Sequence, residues 1–150
     1  MRPRGPAGAS RLHHPWRRFS ELTEWTLRWA ELPPGVMGTT CHVTRTVTLA
    51  LGMSQAERRC TIAHETEHIE RGPVPTHEVR GEELLIDRKV ARLLIPSLPD
   101  LVDALAWAGG HLETAADALW VDDYLLQVRL GGLTAPERAY ADRRLRLRTP

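Results

Sequence analysis

The sequence predicts an α+β fold, mostly helical, with a small antiparallel β-hairpin or sheet ahead of one motif-bearing helix and a helical cluster behind it. Three observations predict it. Two runs rich in Thr and Val, 36–41 and 45–51, alternate apolar and polar residues and lie a few residues apart, which allows a hairpin. Residues 54–71 carry a start and a stop signal for a helix. From residue 81 onward, apolar residues recur at helical spacing between Gly pairs and prolines.

The elements follow in order. Residues 1–18 predict a disordered basic arm, because Arg, Pro, Gly and Ala offer nothing to bury. Leu22, Trp25 and Trp29 repeat at helical spacing before Pro33-Pro34-Gly35, which predicts a first helix over 19–32 with both tryptophans in the core. The hairpin comes next, and Gly52 breaks its second strand. Ser54 and Glu57 then form the S-x-x-E capping box of a helix of about 17 residues that ends at Gly72-Pro73. A helix over 81–95 opens on Glu82 and Glu83 and stops before Pro96. Further helices are expected at 98–108, 112–119, 122–130 and 135–145, the last with Thr134 as cap and Pro136 in its first turn.

At 150 residues, the expectation is one domain over 19–145, with a helical C-terminal subdomain from about 98 and a tail at 146–150. No run approaches the ~18 consecutive apolar residues of a membrane span, and residues 1–10 lack the apolar centre of a secretion signal. Two cysteines, Cys41 and Cys60, make no disulfide framework, so a cytoplasmic location is expected. Net charge is +1, but both ends are basic, from Arg2 to Arg18 and from Arg143 to Arg148. Without interleaved aromatics these read as solvated tails, with nucleic-acid contact weak at most.

The chemistry lies in His64-Glu65-Thr66-Glu67-His68, an H-e-x-x-H pattern inside the capped helix. Shuffling this composition would produce roughly 0.02 such matches. Histidines at i and i+4 project from one helical face about 6 Å apart and can share one divalent ion. Glu65 is poorly placed to ligate but borders the open position, where it can take a proton from water. It is the expected catalytic base. The alternative, a solvated helix laced with salt bridges, fits poorly with Ile62, Ala63 and Ile69 on the same helix.

A catalytic zinc site needs a third protein ligand. Candidates are Glu70, His77, Glu78, Glu82, Glu83 and Asp87. Glu70 points off the histidine face. Glu83 is favoured, because Asp87 lies one turn on and can accept the spare N–H of a ligand histidine. Against it, two acids in a first turn also satisfy the helix dipole. His77, in a proline loop, is the main competitor. His13, His14, His42 and His111 read as solvated, and Cys60 as a small buried residue. His111 and Tyr124 remain candidates for a donor to the transition state.

The segment Glu57-Arg58-Arg59-Cys60-Thr61-Ile62-Ala63-His64-Glu65-Thr66-Glu67-His68 resembles the ImmA/IrrE-type zinc metallopeptidases, as does Glu83-Leu84-Leu85-Ile86-Asp87 through Leu93-Leu94-Ile95-Pro96. The likeness covers about residues 20–100, and more loosely the C-terminal helices, and is nearest the short forms of actinobacteria and their phages. It implies a zincin-like domain with His64, His68 and Glu83 as zinc ligands in gluzincin-like fashion, and Glu65 as base. It also implies a protein substrate, a helix-turn-helix transcriptional repressor. Three features depart from the family pattern. Thr66-Glu67 replaces the usual Leu-Gly, Lys89 stands where an aromatic residue is common, and no sensor domain follows within the chain.

The expected function is therefore a zinc-dependent endopeptidase acting inside the cell, with no membrane partner. The alternative is a catalytically inactive metal-binding protein or a DNA-associated regulator. Residues 115–130 loosely suggest helix-turn-helix, but Asp117, Asp122 and Asp123 would repel phosphates there.

Overall fold

A computed structural model describes residues 13–148. Residues 1–12 of the expected arm and 149–150 of the tail lie outside the described residues. The fold is α+β, as the sequence predicts. Its elements run α1 (Pro15–Ser20), β1 (Thr26–Ala30), β2 (Gly38–Cys41), β3 (Thr46–Ala50), α2 (Gln55–Arg71), a 3-10 turn (Thr76–Glu78), α3 (Val79–Leu94), α4 (Leu98–Trp107), α5 (Leu112–Leu119), α6 (Asp123–Gly131) and α7 (Ala135–Arg146). Where one domain is expected, the described chain forms two compact units. They are His14–Val90 and the residues from Ala91 on, so the division falls inside α3 rather than near residue 98.

The first unit corrects two expectations. The arm expected to reach residue 18 has already become helix at Pro15, where a proline suits the first turn and both Pro15 and Phe19 are buried. The helix expected over 19–32 ends at Ser20, and Thr26–Ala30 is a strand instead. It pairs in parallel with β3, Thr26 opposite Thr46 and Ala30 opposite Ala50. The spacing of Leu22, Trp25 and Trp29 also fits a Thr/Trp-rich strand, and a free edge on the buried strand β3 decides between them. Leu27 and Trp29 share the face of their partners Val47 and Leu49; Leu27 packs against the core, and Trp29 lies at its margin, half-exposed and stacked on Trp16.

The expected hairpin forms as β2 against β3, Gly38 opposite Leu49 and Cys41 opposite Thr46. The sheet is thus mixed rather than purely antiparallel, ordered β1-β3-β2. Alternation along β3 sends Val47 and Leu49 inward, where they are fully buried with Ile62 of α2, Phe19 and Met53. Each such side chain contributes about 1.5–3 kcal/mol. This core fixes α2 against the sheet, where its Thr61 and Glu65 come close to Gly38 of β2.

In the second unit, helices α4 to α7 bury Leu101, Val102, Ala115, Ala116, Val121, Leu125, Leu126 and Ala141. Arg129 is buried among them, donating from Nε to the Ile95 carbonyl at 2.8 Å. Glu137 lies 3.5 Å from its Nη1 and also accepts from Arg92. No helix among the described residues is long and apolar enough to cross a membrane.

Candidate metal centre

The centre is built on α2. Ser54 accepts from the Glu57 amide while Glu57 reaches back to the Ser54 amide, so both halves of the capping box form. Gly72, with φ of 80°, ends the helix in a conformation that side chains resist. The helix is 17 residues long and sets His64 and His68 one turn apart on one face. Their Nε2 atoms lie 3.1 Å apart.

Helix α3 runs antiparallel to α2 and delivers Glu83 to that pair. Glu83 Oε2 is 2.8 Å from His64 Nε2 and Oε1 is 2.7 Å from His68 Nε2. These three residues form a group that can hold a metal ion. Tetrahedral bonds of about 2.0–2.1 Å separate donor atoms by roughly 3.3 Å, so the observed spacings are a few tenths of an ångström tighter than a loaded site requires. The donor set, two imidazoles and one carboxylate, suits a borderline-soft divalent ion. Asp87, one turn beyond Glu83, lies 3.0 Å from His64 Nδ1. It accepts the Nδ1 proton and leaves the Nε2 lone pair facing the centre. Burial works against a charge on His64, but the Asp87 hydrogen bond and the fields of Glu65, Glu83 and Asp87 outweigh it and raise its pKa.

Glu65 is buried beside this group and accepts a hydrogen bond from Thr40 Oγ1 at 2.5 Å. Burial lifts its carboxyl above the ordinary range, opposed by the Thr40 bond and the two histidines and reinforced by Glu83. The strand beneath it is shaped for the fit. A Cβ on Gly38 would lie 2.7 Å from Thr61 Cγ2 and 2.9 Å from Glu65 Oε1, so only glycine lets β2 approach this closely.

A cleft of about 250 Å³ opens over the centre, lined by Gly38, Thr39, Thr40, His42, His64, Glu65, His68 and Glu83. Every one belongs to the first unit. His42, read from the sequence as solvated, stands in this wall, its ring edge-on to Trp25 at 5.6 Å. Gly38, Thr40 and His42 are the residues that sequence reasoning missed. A glycine within a Thr-rich strand is the one local signal that pointed there.

The other candidates are placed elsewhere. His77 is exposed in the 3-10 turn, beside Glu78 at 3.6 Å. Glu70 pairs with Arg18, and Glu82 with Arg71. Cys60 is buried, and His111 and Tyr124 belong to the second unit. Thr66 and Glu67, inside the motif, also find partners. Thr66 donates to the Ile62 carbonyl at 2.7 Å, the usual outlet for a hydroxyl within a helix. Glu67 Oε2 lies 2.8 Å from Lys89 Nζ, an ion pair without a hydrogen bond.

No family model, curated protein or solved structure matches the chain.

Proposed function

We propose that the protein is a zinc-dependent endopeptidase of the ImmA/IrrE type, acting inside the cell on a protein substrate, a helix-turn-helix transcriptional repressor. The observation that carries this reading is the convergence of His64, His68 and Glu83 on one point with a buried, hydrogen-bonded Glu65 beside it. His64, His68 and Glu83 would hold the ion. Zinc there would polarise the scissile carbonyl and bring the pKa of water towards ~7.

The residues of the chain do the rest. Thr40 holds one oxygen of Glu65, which leaves the other carboxylate oxygen to accept a proton from the attacking water. As the C–N bond breaks, Glu65 returns that proton to the leaving amine. Asp87 keeps His64 in the tautomer that presents Nε2. Strand β2 is an edge strand, and three of its four residues line the cleft, so an extended peptide can pair along it. The repressor as substrate rests on the family resemblance alone. A DNA-binding reading is less favoured. Helices α5 and α6 are joined by a short turn, but Asp122 and Asp123 stand at the start of α6, where phosphates would be repelled.

The test is incubation of wild type and Glu65→Gln with the repressor encoded beside the gene, read by mass spectrometry of fragments. Wild type should cut at one site, and Glu65→Gln should retain its zinc while losing at least ~10²-fold in rate. Equal cleavage by the variant would falsify the assigned base.

A further inference from the structure

One buried charge inside the motif takes no part in the chemistry above. Glu67 is 5% exposed, yet it is absent from the cleft wall. Its one ion-pair partner among the described contacts is Lys89, whose side chain is half-exposed. A buried carboxylate is retained only where an opposite charge or hydrogen bonds compensate it. The unusual residue of the motif and the unusual residue of α3 are therefore one feature.

The pair belongs to a row. On α2, Glu67 and Arg71 stand one turn apart, beside His64 and His68. On α3, Lys89 faces Glu67 at 2.8 Å, and Glu82 takes the Arg71 guanidinium through two hydrogen bonds, the Nη2 one at 3.0 Å. Alongside, Asp87 faces His64 and Glu83 faces His68. The same two helices are thus joined by two parallel rows, one holding the donor atoms and one made of paired charges. The sign alternates along the second row: α2 offers minus then plus, and α3 answers plus then minus. A slip that carried Glu82 from Arg71 to Glu67 would oppose two carboxylates, so the row selects one register. Glu83 follows Glu82 directly, and its contacts across the seam are the two histidines themselves.

We propose that Glu67 and Lys89, with Arg71 and Glu82 at the other end, are positioning residues that set the register of α3 on α2 and so place the Glu83 carboxylate at the two histidine Nε2 atoms. The proposal rests on the metal reading given above. It makes the Glu67/Lys89 departure a matched replacement rather than a defect in the site.

The experiment measures zinc affinity by chelator competition and the visible spectrum of the Co²⁺-loaded protein, for wild type, Lys89→Met, Lys89→Arg, Glu67→Gln and Glu67→Gln/Lys89→Met. Thermal melting of the metal-free proteins reports folding. Folded Lys89→Met should bind zinc at least ~10-fold more weakly with an altered Co²⁺ spectrum, and Lys89→Arg should restore both. The double variant should be no worse than Lys89→Met alone, because the two residues act as a unit. If Lys89→Met fails to fold, Arg71→Met at the other end of the row carries the same expectation. A folded variant with wild-type affinity and spectrum overturns the positioning role while leaving the metal site standing. Wild type that takes up no metal overturns the metal site, and the clamp with it.

Discussion

At the scale of single residues, the centre divides into groups that act and groups that place them. His64, His68 and Glu83 converge, Asp87 lies against one histidine, and Thr40 and Gly38 seat Glu65, the proposed base. The His64/His68 pair was legible in the sequence from its i, i+4 spacing, and Glu83 was one of several candidate partners, which the structure brings to it. Thr40 was not legible: it sits 25 residues from Glu65, on a strand whose approach depends on the whole core. Gly38 gives the sharpest residue-scale expectation. Gly38→Ala must displace Thr61 or Glu65. Cleavage should fall on the order of 10²-fold while zinc content stays at wild-type level, since a misplacement near 1 Å costs about that much. Unimpaired cleavage by Gly38→Ala would show that the strand does not seat the base.

At the scale of elements, strong terminal signals succeeded and weak periodicity failed. Helix α2 matches its expected length because caps at both ends define it locally. The first helix failed because three apolar residues over eight positions cannot separate the two periods when strand pairing is still undecided. Such pairing is a long-range event, here between residues 26–30 and 46–50. In the second unit, Arg129 and Glu137 show how α6 and α7 are tied together. The Arg92 hydrogen bond, chiefly, with help from the Thr134 amide, Arg92 and Arg129 charges, holds the Glu137 carboxyl below its usual 4.5. A depressed acid contributes stability above its unfolded pKa, and that stability is lost as pH falls through the lower folded value. Glu137→Gln should therefore lower stability by about 1–3 kcal/mol at neutral pH, because Arg129 loses its charge partner. The gap from wild type should close on acidification below ~4.5. Urea melts at neutral and acid pH check this, and a gap independent of pH would contradict it.

At the scale of the whole molecule, the class α+β and the order sheet, motif helix, helical cluster were legible, while the division into two units inside α3 was not. Nothing in residues 88–92 breaks a helix, so composition could not mark the boundary. The first unit holds every residue of the cleft, and its core of Phe19, Val47, Leu49, Met53 and Ile62 carries α2. The account stands or falls on whether this unit presents three ligands to one ion. The direct measurement is zinc per chain, by mass spectrometry of the dialysed protein, in wild type and Glu83→Ala. About one zinc per wild-type chain is expected, with a strong loss of zinc in Glu83→Ala at equal folding. No zinc in wild type, or full zinc in Glu83→Ala, would contradict the centre described here.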